Sequence, residues 1–184
     1  KSSIQKMCGF ESLLGHGVLP SIFLEPPPLR VQDAPMKNAV VPVDVRAIIP
    51  GKSGSAIFLG NDEKVFVIHV DTSIAHAIAL YKQGMPRPRP LTHDLIGHIF
   101  AALEVKLERV VVNDLRAGTY YARLILRVDN EIHHKIVEID ARPSDCIALA
   151  AQIGAPLLVN RRVWDEVEDA SEALRQAEEE SDDE

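Results

Sequence analysis

Residues 139–156 read IDARPSDCIALAAQIGAP, a strand-like start that runs into an alanine-rich apolar segment. With an offset of 69 residues, VDTSIAHAIALYKQ (70–83) lies over IDARPSDCIALAAQ (139–152). Asp71 meets Asp140, Ile78-Ala79-Leu80 meets Ile147-Ala148-Leu149, and Gln83 meets Gln152. The same offset carries VFVIHV onto the HHKIVEI segment without a gap, and Asn61 onto Asn130. Each half then reads β-β-β-α, and self-similarity at a fixed offset is the mark of an internal duplication. Both alanine-rich segments are apolar almost all round, which suits buried helices. Their small side chains let the two helices approach each other or a sheet closely.

The remaining elements follow outward from this pair. VVPVDVRAII (40–49) and SAIFLG (55–60) read as strands around a PGKSG turn, and KVFVIHV (64–70) as a third. A helix over 72–84 stops at Gly84. LTHDLIGHIFAALE (91–104) reads as another helix, with Thr92 as cap, Asp94 in the positive first turn, and Leu91 and Ile96 at staple spacing. Leu95, Ile96, Ile99, Phe100 and Leu103 share one face, which the periodicity assigns to the core. Asp94 and His98 fall opposite, with His93 at the boundary. Strands at 106–114, 119–128 and 133–140 precede the third helix, followed by a short strand at 156–160 and an acidic final helix. The expectation is a compact α+β domain of internally duplicated β-β-β-α units. A mixed or antiparallel sheet would pack with Ala-rich helices. Composition divides the chain into an N-terminal extension without a core of its own (1–35), a folded body (36–167) and an acidic tail (168–184).

A net charge of −7 over 184 residues misleads as an average. Eleven acids and one arginine lie between Asp165 and Glu184, so the rest of the chain carries +3. A mildly basic body leaves an anionic partner open despite the acidic total. Cys8 and Cys146 form no CxxC and suggest neither a disulfide framework nor a zinc site, which fits a cytoplasmic protein. GVLPSIFL (17–24) is broken by Pro20 and too short to span a membrane. Walker, GxSxG, Rossmann and contiguous zinc motifs are all absent, which removes the enzymes that depend on them.

Three polar blocks carry whatever chemistry there is. In IDARPSD, Asp140, Arg142, Ser144 and Asp145 either start a helix, with Ser144 or Asp145 capping it, or seat a phosphate on that helix start. In the second case Arg142 adds a bidentate grip, and Asp140 or Asp145 offers oxygen to a divalent metal. In RPRPLTHD, prolines at 86, 88 and 90 stiffen the approach, so that Arg87 and Arg89 project ahead of His93 and Asp94. That block reads equally as a solvated loop before a capped helix, or as a base beside a metal ligand. In NDLRAGTYYA, Asp114 and Arg116 sit at a hairpin mouth beside Tyr120 and Tyr121, a pattern that suits stacking on single strands or plain strand packing. His69, His133 and His134 lack metal spacing and read as surface or sheet-face residues.

RPLTHDL (89–95), NDLRAGTYYA (113–122) and IDARPSDCIALA (139–150), in that order, resemble the bifunctional nuclease domain family, over roughly Val41 to Val167. Cys146 departs from the family's usual alanine, and the strand after GTYYA continues into a His-rich hairpin. The resemblance implies a bacterial-type nuclease acting on DNA and RNA, often oligomeric, with no membrane or organic cofactor. Its matching polar positions are Arg89, Thr92, His93, Asp94, Asp114, Arg116, Arg142, Ser144 and Asp145. For phosphodiester hydrolysis these positions can supply catalysis from His93, Asp94, Asp114 and Asp145, phosphate binding from Arg89, Arg116, Arg142 and Ser144, and either Mg²⁺ or Mn²⁺ on Asp94, Asp114 and Asp145 or a metal-free His/Arg mechanism. The alternative is a non-enzymatic regulatory module that binds a small anionic ligand or nucleic acid in the same pocket.

Overall fold

The computed structural model describes residues 39–129 and 134–182. The expected extension at 1–35 and the turn before β6 lie outside the described residues. In chain order the elements are β1 (Val40–Gly51), β2 (Gly54–Gly60), β3 (Val65–Val70), α1 (Thr72–Lys82), α2 (Thr92–Ala102), β4 (Val105–Arg116), β5 (Thr119–Asp129), β6 (His134–Ala141), α3 (Pro143–Ile153), β7 (Leu157–Asn160), α4 (Arg161–Glu166) and α5 (Ser171–Asp182). A single seven-stranded sheet runs β3-β2-β1-β7-β4-β5-β6. All neighbours are antiparallel except β4 and β7. The fold is therefore α+β with a mixed sheet. The order β-β-β-α occurs on each side of β7, with β1 and β4 innermost and β3 and β6 at the edges.

β7 is only four residues long yet lies between the two halves, with Leu157 and Val159 buried. The β6-α3-β7 connection drops it beside β4 in parallel, as a helical crossover permits. Ala75, Ala77 and Ile78 of α1 and Ile147 through Ala150 of α3 are buried in one continuous core. Both helices carry the small side chains that close approach requires, and both stop on a left-handed glycine, Gly84 and Gly154. Their starts are not equivalent. Asp71 precedes α1 directly, whereas Asp140 stays in β6 and Arg142 takes the N-cap of α3. Pro143 at the first helical position sets this two-residue shift, since its fixed φ suits N1 and its missing N–H would have had no partner.

α2 departs from the expected orientation. His93 and Asp94 are buried, Ile96 and Phe100 pack on the core, and Leu95, Ile99 and Leu103 are exposed. The helix is pinned at its start by polar contacts to α3 and the preceding loop, and these turn the 93-96-100 row inward. Its cap also differs. Leu91, not Thr92, is the N-cap, and the Asp94 carboxylate accepts the Leu91 N–H at 2.8 Å. Only this half of a capping box is chemically available, because leucine offers no acceptor. The acidic tail, expected to start at residue 168, begins as packed chain. Ala170 N–H donates to Val65 O at 2.7 Å, Leu174 packs on Phe58 and Val65, and the Asp169 carboxylate caps Ser171. These hydrogen bonds hold the Asp169 carboxyl below its usual pKa, the Ser171 hydroxyl contributing most.

Candidate active site

α1 and α3 start side by side. Arg142 bridges the two starts, with its Nη1 3.8 Å from Asp71 Oδ2 and its Nε donating to Asp145 Oδ2 at 3.0 Å. Asp145, in the first turn of α3, faces His93 on α2, with Nε2 and Oδ1 at 3.3 Å. Neither Ser144 nor Asp145 caps α3, contrary to the sequence-based reading, since no side chain accepts from its first amides. The three side chains form a row graded in exposure: His93 at 9%, Asp145 at 33% and Arg142 at 65%. Asp145 thus fronts the site, while His93 lies behind it against the Tyr81 ring, edge to face at 6.4 Å. The neighbouring Asp145 carboxylate also raises the pKa of the Arg142 guanidinium.

Asp94 does different work from its neighbour His93. Its two oxygens accept from Arg87 Nε at 3.1 Å and Nη2 at 3.0 Å, besides the Leu91 amide. The Arg87 guanidinium lies over the Tyr81 ring at 4.6 Å. Burial, followed by the Asp94 charge, pushes the Tyr81 hydroxyl up from its ordinary pKa. Asp94 therefore closes a buried ion pair that fixes the 85–91 loop onto α2. Arg87 folds back rather than projecting, and Arg89 stays exposed with no ion-pair partner among the described residues.

The third block holds a local pair. Asp114 accepts from Arg116 Nε at 2.7 Å and from Leu115 N–H at 3.0 Å, and the Arg116 guanidinium lies 5.3 Å from the Tyr121 ring. Tyr121 is opposite Asp114, while Tyr120 turns to the core against Phe66 at 5.8 Å. Asp94, Asp114 and Asp145 do not converge on one point. No group of three or more His, Cys, Asp or Glu side chains among the described residues could hold a metal ion. Asp71 and Asp145 both pair with the Arg142 guanidinium, which already supplies positive charge to these two carboxylates. A hydrated Mg²⁺ commonly takes one or two protein carboxylates and completes its shell with water and phosphate.

Beside this row a cleft of about 720 Å³ opens between the start of α3 (Arg142 and Ser144), the β1–β2 turn (Lys52 and Ser55) and the β4–β5 turn (Gly118 to Tyr120). The β4–β5 turn lies within the third block: Ala117 and Gly118 both have positive φ, the two-residue geometry that suits a twisted hairpin. Sequence reasoning took Lys52 and Ser55 only as turn and strand residues, and Asp71 only as a repeat marker. The lysine between glycines in PGKSGS was the available signal for the turn.

A family model described as Bifunctional nuclease domain matches residues 57–172. An uncharacterized protein of Mycobacterium tuberculosis (strain ATCC 25618 / H37Rv) is 42% identical over 103 residues, covering 56% of this chain and 58% of that protein. Bifunctional nuclease 1 of Oryza sativa subsp. japonica is 29% identical over 105 residues, covering 56% of this chain and 31% of that protein. The match thus spans little more than half of the mycobacterial relative and under a third of the rice protein. Among the described residues no helix is long and apolar enough to cross a membrane.

Proposed function

The chain belongs to the bifunctional nuclease domain family, and from that premise we propose that it hydrolyses phosphodiester bonds in DNA or RNA at Asp145 and Arg142, beside the cleft. The observation that carries this reading is the His93–Asp145 contact, which joins two polar blocks distant in sequence at the start of a helix. In this reading Asp145 takes the proton of the attacking water as its oxygen bonds to phosphorus. The bond to the leaving oxygen breaks, and that oxygen is protonated from solvent. Arg142 and the free amides opening α3 hold the charge that gathers on the phosphoryl oxygens. His93 is a positioning residue, and its ring nitrogen steadies the Asp145 carboxylate from behind. Bound Mg²⁺ or Mn²⁺ would supply charge stabilisation and a more acidic water, with Asp145 as its protein carboxylate and water and phosphate completing the shell.

Backbone rather than base recognition suits a site built of an arginine, helix amides and hydroxyls. The exposed stripe Leu95, Ile99 and Leu103 is assigned to a second copy of the chain. On α2 it is flanked by Thr92 and His98, and an exposed apolar patch of this kind suits an isologous contact across a twofold axis. The deciding experiment is cleavage of single- and double-stranded DNA and RNA with and without EDTA, wild type against Asp145→Asn. Cleavage by the wild type that is lost in the variant is expected; equal cleavage by both rejects the site.

A further inference from the structure

The cleft is far larger than a phosphate group needs, and its walls carry polar groups that nothing in the protein satisfies. Ser55 is 4% exposed and Ser144 9% exposed, and both line it. Neither hydroxyl makes a hydrogen bond among the described residues, and neither oxygen is closed off from solvent, so both face the cleft. The first hydrogen bond of α3 runs from Cys146 N–H to Arg142 O at 3.1 Å, so the amides of Ser144 and Asp145 open the helix without an intrahelical partner. Hydroxyls held on nearly buried residues and facing a cleft without a protein partner offer fixed donors and acceptors to a ligand with polar atoms. Lys52 and Arg142 both line the cleft, Arg142 being paired with Asp71 and Asp145 and Lys52 with no acid among the described residues. Ile68, Val70 and Tyr120 add apolar surface to the lining. At about 720 Å³ the space falls within the range of small-molecule sites.

We propose that this cleft is a mononucleotide subsite. The phosphate lies on the start of α3 against Ser144 and Arg142, and the nucleoside runs under the β1–β2 turn past Ser55, with Lys52 closing the mouth. The mixture of lining groups supports a nucleotide over a bare anion: Arg142 and Ser144 at the start of α3 suit a phosphate, while Ile68, Val70 and Tyr120 add apolar surface that a phosphate alone does not need. The turn geometry helps to shape it. Gly54 has a φ of +148°, and a Cβ there would lie 2.8 Å from Val70 O, so only glycine lets the turn close this tightly over β3. This inference deepens the nuclease reading, because it makes the site one that holds a single nucleotide unit of the strand beside the hydrolysed bond. Its test, however, does not require cleavage.

Binding of the four ribonucleoside 5′-monophosphates and of inorganic phosphate to the full chain would be measured by calorimetry. The wild type should bind at least one nucleotide roughly tenfold more tightly than phosphate. Ser55→Leu, which fills the wall, should reduce nucleotide affinity to the phosphate level, and Lys52→Ala, on an exposed turn, should weaken nucleotide binding severalfold. Asp145→Asn should keep the nucleotide preference while losing cleavage. Equal affinity of the wild type for nucleotide and phosphate overturns the proposal. A preference unchanged in both Ser55→Leu and Lys52→Ala also overturns it. A nucleotide preference in a protein that cleaves nothing upholds the subsite and removes the nuclease reading instead.

Discussion

His93 on α2 meets Asp145 on α3 at 3.3 Å, and the buried member of the pair is the histidine. That order reverses the roles assigned from sequence, where His93 reads as the base. A ring tucked behind a carboxylate orients it, and the carboxylate meets the substrate. His93→Gln, which keeps a donor near the Asp145 oxygen, should retain a substantial part of kcat, whereas His93→Leu should lose roughly 100-fold. KM should move little in either variant, because neither removes a phosphate contact. A large KM rise with unchanged kcat in His93→Leu would assign the histidine to substrate binding instead.

Asp94 sits one residue along and predicts a different phenotype. Its side chain closes a nearly buried pair with the partly exposed Arg87 and caps α2. Asp94→Ala strands a guanidinium over Tyr81 and frees a helix amide. We expect a loss of about 2 kcal/mol in unfolding free energy, less than for a fully buried pair because Arg87 reaches solvent. Arg87→Met combined with Asp94→Ala should recover part of it. Denaturant titration of both variants checks this; full stability in Asp94→Ala alone would mean that the pair contributes nothing.

Cys146 is fully buried, and desolvation, followed by the Asp145 and Asp140 charges, pushes its thiol pKa up to about 12. Alkylating reagents attack the thiolate, so Cys146 should resist iodoacetamide at pH 8 in the native protein and react once urea unfolds it. Peptide mapping reads this residue separately from Cys8. The sign of the pH effect follows. The unfolded chain loses its thiol proton first as the pH passes about 8.5, while the folded chain keeps it up to about 12. The stabilising contribution is thus complete below that window and declines as pH rises through it. Cys146→Ala should flatten stability in this range.

The stripe Leu95, Ile99 and Leu103 shows where sequence reading stops. Period alone places five apolar residues of α2 on one side but cannot say how far that side rotates once His93 finds Asp145 and Asp94 finds Arg87. α1 and α3 were legible because they are apolar nearly all round, so no rotation could be mistaken. Strands β1 to β6 were legible from alternation and turn residues, and β7 from its short apolar run. Its central place was not legible, because it follows from a parallel pairing with β4 that no local pattern specifies. The cleft was hidden for the same reason. Lys52 with Ser55, Tyr120 and Ser144 lie on three separate segments, and only the closed sheet brings them together. Ile99→Glu tests the use of the stripe. It should convert a dimer to monomer in light scattering while leaving the circular dichroism spectrum intact, and a wild type that is already monomeric removes the assignment.

Arg116 marks the route by which a strand reaches the cleft. Its side chain is 72% exposed, stacked over Tyr121 and held by Asp114, at the base of the same β4–β5 turn whose tip lines the cavity. An exposed cation on an aromatic platform suits a phosphate and a base on a passing single strand. It lies outside the Asp145 row, so it should act on binding and not on the bond-breaking step. Arg116→Ala should therefore raise KM for single-stranded substrate severalfold and lower the slope of log affinity against log salt by about 1, with kcat unchanged. Tyr121→Ala should weaken binding without changing that slope, because stacking releases no counterion. A fall in kcat for Arg116→Ala with an unaltered salt slope would place the arginine in catalysis and discard this route for the strand.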